Sequence, residues 1–486
     1  MITLRPDQMR AVEDLRAALS QHQSALLQAP CGFGKTVVSA FMASETWRRK
    51  KRVIFAVHRR ELARQTAKTF DQFGIPYGYI MAGMPENPFA SVQIASRDTL
   101  RSRPHLMACD LFIPDEAHLW SAGTGAEIIE TAMKNGSYVV PLTATPARGD
   151  GKPMRRIANT IVYGPPVRDL ISRGSLAPYK AYAPARPDLS KLHTRAGEYV
   201  QSEVDELMGR PGVAKDAVRF YREYANGKRM IGFAPSRVRG NEYAQEFRAG
   251  GVSAEFIDGE TPDADRRNII AAFADGGLSV LMNCQLFREG FDLSAQVGRD
   301  VPIQAVGLYN PTQSLPLAIQ MMMRPMRPQD GHAIILDHAC VMVNRDGSIN
   351  HGFPDDDREW SLDGAAKGGK GGEKTIPTVT CASCFGIFRP APTCPYCGVP
   401  RETYGREVEE FEAELAEMDP ERIRLQADLD RRRKDAARRE EGMAKTVADL
   451  AKIAKDRGYK AGWIMAKAKA KKIPATWDEI NRVMER

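Results

Sequence analysis

Short apolar runs recur along the first 340 positions, each bounded by Gly, Pro, Asp or Ser. Ser24–Gln28, Val53–Val57, Val92–Ala95, Leu111–Pro114 and Tyr138–Leu142 form a first set. Stretches with helical spacing of apolar residues, such as Gln8–Leu19 and Thr36–Arg48, lie between them. Strands alternating with helices predict a parallel sheet built by crossovers. A second set follows a helical connection near 198–226: Met230–Ala234, Ala254–Ile257, Val280–Asn283, Ala305–Tyr309 and His332–Asp337. The expected fold is therefore α/β, with two tandem parallel-sheet domains over 1–185 and 186–345. A cleft between two such domains is a natural ligand site.

The pattern changes near residue 346. Residues 346–378 read as a linker, with Gly364–Gly372 flexible by composition. A cysteine-rich stretch occupies 379–400. Residues 401–486 are expected to be helical, with Asp419-Pro420 as a helix start and Thr476 with Glu479 as a capping box.

Composition narrows the classes. Of 486 residues, 43% are hydrophobic and 27% charged, which excludes wholesale disorder and a collagen-like repeat. No apolar run approaches the roughly 18 residues of a spanning helix, so no membrane partner is expected. The first residues lack the apolar stretch of a secretory signal, so the expected location is a reducing cytoplasm. Lys and Arg number 69 and Asp and Glu 61, a net +8 that permits nucleic acid without demanding it. The surplus is uneven: residues 401–441 hold 10 basic and 14 acidic side chains, and residues 442–486 hold 11 and 5.

Two segments carry phosphate chemistry. Ala29-Pro-Cys-Gly-Phe-Gly-Lys-Thr36 follows an apolar strand and precedes a helical pattern. Gly32 and Gly34 let the backbone wrap phosphate, and amides at the helix N-terminus supply positive charge. Lys35 can reach the β- and γ-phosphates of ATP, and the Thr36 hydroxyl can hold Mg²⁺. The general pattern has Gly where this chain has Ala29. Asp115-Glu-Ala-His118 follows Leu111–Pro114 about 80 residues later. A carboxylate there can bind the Mg²⁺ bridging the phosphates, and its neighbour can polarise water.

With their neighbours, these segments resemble the DEAH-box type of superfamily 2 helicase. That resemblance implies RecA-like domains, ATP hydrolysis and Mg²⁺. It implies that Gln8 reads adenine, and that Arg59 and Arg60, in Ala56-Val-His-Arg-Arg-Glu-Leu62, touch nucleic-acid backbone. Thr143 and Thr145, in Thr143-Ala-Thr-Pro146, would couple hydrolysis to domain movement, with His118 also a coupling residue. In the second half, Ile231-Gly-Phe-Ala234 matches a strand motif. Asp292, in Arg288-Glu-Gly-Phe-Asp292, would contact ribose. Gln320, Arg324 and Arg327, in Gln320-Met-Met-Met-Arg-Pro-Met-Arg327, would act at the γ-phosphate. The two arginines lie three apart, so one helix face can present both as arginine fingers; a surface pair near a helix end is the alternative. Met323 stands where the family usually has Gly, which implies slower or reshaped closure.

Within the superfamily, the resemblance extends to a RadD-like group of bacterial and phage DNA-repair ATPases. It rests on Leu336-Asp-His-Ala339, His351-Gly-Phe-Pro-Asp-Asp-Asp-Arg-Glu-Trp-Ser-Leu-Asp-Gly364 and Gly458-Tyr-Lys-Ala-Gly-Trp463. It implies DNA, single-stranded or branched, as substrate in repair or recombination. A single-stranded-DNA-binding protein or another repair protein is the implied protein partner. His338 and His351 are expected to be structural or coupling residues.

Cys381, Cys384, Cys394 and Cys397 form two Cys-x-x-Cys turns nine residues apart. Four thiolates suit a structural tetrahedral Zn²⁺ site that supplies the folding energy of a small ribbon, with iron as the alternative metal. Gly398 and Gly386 are expected to turn amides toward sulfur. Phe385 and Phe388 are expected in the ribbon core, while Arg389 and Tyr396 either join it or face a partner. Cys31, Cys109, Cys284 and Cys340 read as small buried apolar residues. Trp463, Lys467 and Lys469 combine an aromatic with positive charge, which suits nucleic acid; a solvated helix face with Trp463 turned inward is the other reading. Rival functions at this point are an ATPase that remodels branched DNA or protein–DNA complexes, a nucleotide-switched binding protein, and an RNA helicase.

Overall fold

A computed structural model of the chain describes residues 3–146, 153–183, 187–195, 197–284, 286, 293–299, 301–344, 348–363, 378–400, 444, 446–456, 461–471 and 473–485. The chain divides into two compact units, Met1–Arg401 and Glu402–Arg486. Among the described residues no helix is long and apolar enough to cross a membrane.

The first α/β domain holds five parallel strands in the order Tyr77–Ile80, Val92–Ser96, Val53–Val57, Leu111–Pro114, Tyr138–Val139. A parallel ladder of Leu142–Thr143, Ala25–Gln28 and Thr160–Tyr163 continues it through a bridge between Ser24 and Val139. The run Tyr138–Leu142, expected as one strand, divides at Pro141, which has no N–H for a ladder. Central strands such as Val53–Val57 are buried throughout, because crossover helices cover both faces.

The second domain's sheet runs Ala254–Ile257, Val280–Asn283, Met230–Phe233, Ala305–Leu308, Ala333–Asp337, Tyr179–Tyr182, all parallel. Two antiparallel strands of the cysteine ribbon, Gly386–Phe388 and Val379–Thr380, then extend it. This differs from the expected partition in three ways. Tyr179–Tyr182, which the pattern assigned to the first domain, pairs in the second sheet. The ribbon is the margin of that sheet and not a free module. Residues 348–363, expected as linker, are packed, with Phe353 and Leu362 buried. The glycine-rich remainder, 364–377, lies outside the described residues.

In the second unit, helices Val447–Asp456, Ala461–Ala470 and Trp477–Glu485 bury Val447, Leu450, Ile464 and Ile480 together. Thr446 and Asp449 cap the first helix reciprocally, and the Glu479 amide donates to Thr476 Oγ1 at 3.3 Å, as the capping pattern predicts. Residues 401–443, with the expected start at Asp419-Pro420, lie outside the described residues.

Candidate functional site

The strand Ala25–Gln28 delivers the phosphate-loop segment to the helix Lys35–Arg48. Gly32 and Gly34 take left-handed backbone, φ 82° and 91°. A Cβ at Gly32 would sit 2.7 Å from Leu176 Cδ2, and one at Gly34 would sit 2.6 Å from Gln8 Nε2. Both positions therefore favour glycine by conformation, and any larger residue would also displace Leu176 or Gln8. Lys35 Nζ donates to the Ala29 carbonyl at 3.1 Å, so its ammonium lies over the loop that it serves. Thr36 follows in the helix's first turn, where backbone amides have no intrahelical partner.

Asp115 and Glu116 stand at the C-terminal end of Leu111–Pro114. Glu116 adopts left-handed backbone, φ 52°, a costly conformation for a non-glycine residue. It is held locally: the Glu116 amide donates to Asp115 Oδ1 at 2.9 Å, and Trp120 Nε1 donates to the Asp115 carbonyl at 2.7 Å. Burial and the adjacent Glu116 charge push the Asp115 carboxyl up to about 7, with Lys35 opposing. His118 Nδ1 lies 3.5 Å from Glu116 Oε2. Burial also raises the Cys31 thiol, which disfavours a thiolate and hence a redox role.

From the second domain, Ser314 caps the helix Leu315–Met322, and a 3₁₀ turn, Arg324–Met326, follows. Arg324 and Arg327 therefore do not share an α-helical face. Pro325 cannot donate an amide, so the helix tightens, and three residues per turn still align positions three apart. A cavity of about 410 Å³ lies between the domains. Lys35, Thr36, Asp115 and Glu116 line it from the first, and Gln320, Arg324 and Arg327 from the second. Gly32, Gly34, Gln65, Leu176 and Met323 are also in its wall. Gln65 and Leu176 carried no sequence signal, because their place depends on packing alone. Met323 has ordinary right-handed backbone, φ −79°, so the position does not require glycine, and its buried side chain lines cavities to which both domains contribute.

Gln8 is placed differently from the expectation. It is buried below the phosphate loop, where Nε2 donates to the Phe33 carbonyl at 2.9 Å and Oε1 accepts the Arg5 amide at 3.1 Å. It does not line the cavity; it braces the loop. Thr143 and Thr145 are buried beside the loop, joined by a 3.1 Å bond from the Thr145 amide to Thr143 Oγ1. Gln28 Nε2 donates to the Ala144 carbonyl between them at 3.0 Å. Arg59 and Arg60 begin the helix Arg60–Gln72, half-buried and exposed respectively. Asp292 and the segment 287–292 lie outside the described residues.

The four cysteine sulfurs lie within 4.8 Å of one another, with Cys381 to Cys397 at 3.7 Å and Cys384 to Cys394 at 3.6 Å. Tetrahedral Zn–S bonds of about 2.3 Å place sulfurs about 3.8 Å apart, so the donor set and spacing fit zinc. The left-handed residues after each turn are Phe385, φ 54°, and Gly398, φ 74°. The Gly386 amide does bond the Cys384 sulfur as expected, and the residue also leaves room for Tyr396, whose Cδ2 would lie 2.2 Å from a Cβ there. Phe388 packs against Cys381 and Cys394 as expected, whereas Phe385 meets Phe220 of the second domain edge-on at 5.8 Å. Tyr396 faces that domain too: it accepts the Ala181 amide at 3.3 Å and donates to the Ile387 carbonyl at 3.0 Å.

In the second unit Lys467 is half-buried and Lys469 exposed. The Trp463 side chain lies outside the described residues.

Residues 1–148 match the family described as type III restriction enzyme, res subunit, and residues 213–329 match the helicase conserved C-terminal domain. A 51.5 kDa protein of a Lactococcus phage (isolate 7-9) is 31% identical over 372 residues, 75% of each chain. The chain belongs to the superfamily 2 helicases. It is thus an ATP-hydrolysing helicase-family enzyme. A Saccharomyces cerevisiae protein with the ATP-dependent helicase name IRC3 is 26% identical over 288 residues, 56% of this chain and 41% of that one. The DNA-bound type ISP restriction-modification enzyme LlaBIII shares the fold, with TM-score 0.50 and 16% identity over 69% of this chain and 27% of its own. The family's two domains correspond to the two α/β sheets that enclose the cavity.

Proposed function

We infer that this helicase-family enzyme is an ATP-driven DNA translocase of the RadD-like kind, acting in DNA repair or recombination. The observation that carries the reading is the cavity itself. One domain brings Lys35, Thr36, Asp115 and Glu116 to it, and the other brings Gln320, Arg324 and Arg327. In this reading the first set binds Mg²⁺–ATP and orients water. The arginines neutralise the γ-phosphate when the domains close, so hydrolysis and closure become one event. Thr143 and Thr145, hydrogen-bonded beside the loop, pass that event into the first domain. Arg59, Arg60 and the basic residues 442–486 hold DNA phosphates, and a zinc ion holds the ribbon.

ATPase assays with single-stranded, duplex and forked DNA, and with RNA, test the reading. DNA should stimulate turnover and RNA should not. Lys35→Ala should abolish hydrolysis while leaving DNA binding in a gel shift; undiminished hydrolysis would sink the assignment. The bulk of Met323 in the cleft wall supports a second reading, an ATPase that remodels branched DNA or protein–DNA complexes without processive unwinding. Strand displacement beside the ATPase assay separates the two.

A further inference from the structure

The chain crosses between the α/β domains more often than the fold requires. Residues 164–178 carry it from the first sheet to the second. After Ala333–Asp337 it goes back: residues 348–363 reach the first domain, yet the ribbon strands lie on the second sheet again. The excursion has firm anchors at both ends.

On the second domain, His351 Nε2 bonds the Thr312 carbonyl at 2.8 Å, just ahead of the arginine-bearing helix. Asp355 and Asp356, with side chains only 12% and 11% exposed, are bridged by Arg389 of the ribbon. Its guanidinium donates to Asp356 Oδ1 at 2.9 Å and Asp355 Oδ2 at 3.3 Å, and it covers the Phe353 ring at 5.4 Å. Tyr179 also donates to Asp355. On the first domain, Leu362 is buried in the core that contains Phe112, Trp120 and Ile157. The Met154 amide donates to the Leu362 carbonyl at 2.7 Å, and Tyr163 donates to the Trp360 carbonyl at 3.0 Å. Arg155 pairs with Asp363. Between the anchors Arg358 braces the turn through the His351 and Phe353 carbonyls, at 2.9 and 2.7 Å.

We propose that residues 348–363 are a strap that sets how the two domains face each other across the nucleotide cleft. Arg389 is the positioning residue that fastens the strap to the metal-held ribbon. Two adjacent, largely buried carboxylates repel each other unless a cation joins them, and a guanidinium fork can satisfy both at once. The strap passes close to the cleft: Pro354, Asp356 and Arg358 share a cavity of about 190 Å³ with Pro30, Ala144 and Met323. Ribbon integrity is thereby felt where Arg324 and Arg327 must meet the phosphate loop. The role in catalysis rests on the proposed function; the mechanical link does not.

The test is hydrogen exchange on the full, metal-loaded chain carrying Arg389→Ala. The Met154 amide, which the strap protects from the far side, should exchange about tenfold faster or more, while Val53–Val57 stays protected. The Cys381 amide, bonded to the Gly386 carbonyl at 2.9 Å inside the ribbon, should be unchanged. Arg389→Lys should recover part of the protection. Steady-state ATPase should show kcat down by about fivefold or more with KM for ATP nearly constant, because positioning is lost and binding is not. Leu362→Ala, which frees the other anchor, should reproduce that split. Unchanged exchange at Met154 in both variants overturns the strap. Faster exchange with unaltered kcat retains the strap as a tether but overturns its link to the cleft. If no ATPase exists in the wild type, exchange still decides the mechanical claim.

Discussion

The Asp115 carboxyl, pushed up to about 7, has a consequence for pH. Below that value it holds a proton that a divalent ion must displace, so metal affinity couples to acidity. The Mg²⁺ concentration for half-maximal ATPase should rise by about tenfold per pH unit below 7 and level off above it. A half-saturation that does not move between pH 6 and 8 would remove Asp115 as the ligand. His338, expected from its motif to be a structural or coupling residue, is a second buried group. Both ring nitrogens are buried without a hydrogen bond, the ring lies 5.1 Å from Tyr309 and 6.0 Å from Phe220, and burial lowers its pKa to about 3. Its folded pKa lies below the unfolded value of about 6.5, so its contribution is present above pH 6.5 and is lost as pH falls, by about 1.4 kcal/mol per unit. Asp115, raised in the folded state, has the opposite slope over pH 7 to 4. The wild-type profile is the difference of the two, so the variant comparison is the informative one. Denaturant titrations of His338→Leu and wild type should show the variant gaining relative stability steadily below pH 6.5; parallel profiles would refute a neutral buried His338.

At the scale of elements, the cysteine ribbon is a sheet margin whose four thiolates fit a metal. Gly386–Phe388 pairs with Tyr179–Tyr182, and Tyr396 ties back to Ala181. Stripping metal with a strong chelator should therefore unfold the ribbon and also lower the melting temperature of the second domain, with metal analysis expected to give one zinc per chain before treatment. A two-step melt whose main transition ignores the chelator would show the ribbon to be independent. What the sequence made legible follows from the range of the interactions. The phosphate loop, Asp115-Glu116 and the two Cys-x-x-Cys turns are built from neighbouring residues with fixed backbone demands, so their spacing shows. The strap is built from pairs such as Met154 with Leu362 and Tyr163 with Trp360, about 200 positions apart, and its own composition looks like linker. Tyr179–Tyr182 carries no clear strand signal because Lys180 interrupts its apolar run. At Gln8 the sequence shows the residue type, whereas its bond to the Phe33 carbonyl depends on packing.

For the whole molecule, the net charge of +8 falls mostly on the first of two compact units: Met1–Arg401 holds 49 basic and 42 acidic side chains, and Glu402–Arg486 holds 20 and 19. Within the second unit the charge is segregated, since residues 442–486 hold 11 basic side chains and 5 acidic ones. In the proposed cycle the first unit holds phosphate backbone and releases it. A separate basic segment, residues 442–486, can supply standing attraction without entering that cycle. Each lysine or arginine that neutralises a phosphate releases counterions, and affinity falls with salt at a slope close to the number of such contacts. Deleting residues 442–486 should therefore weaken DNA binding most at low salt and lower the slope of log K against log salt by about 2 to 4, the scale of a few exposed cations such as Lys469. ATPase at saturating DNA should change little, since no cavity residue is removed. Fluorescence anisotropy across a salt series gives the slope, and turnover measured on the same protein gives the control. A deletion that leaves the slope intact would move the DNA contact entirely onto the first unit, with Arg59 and Arg60 the side chains to examine next.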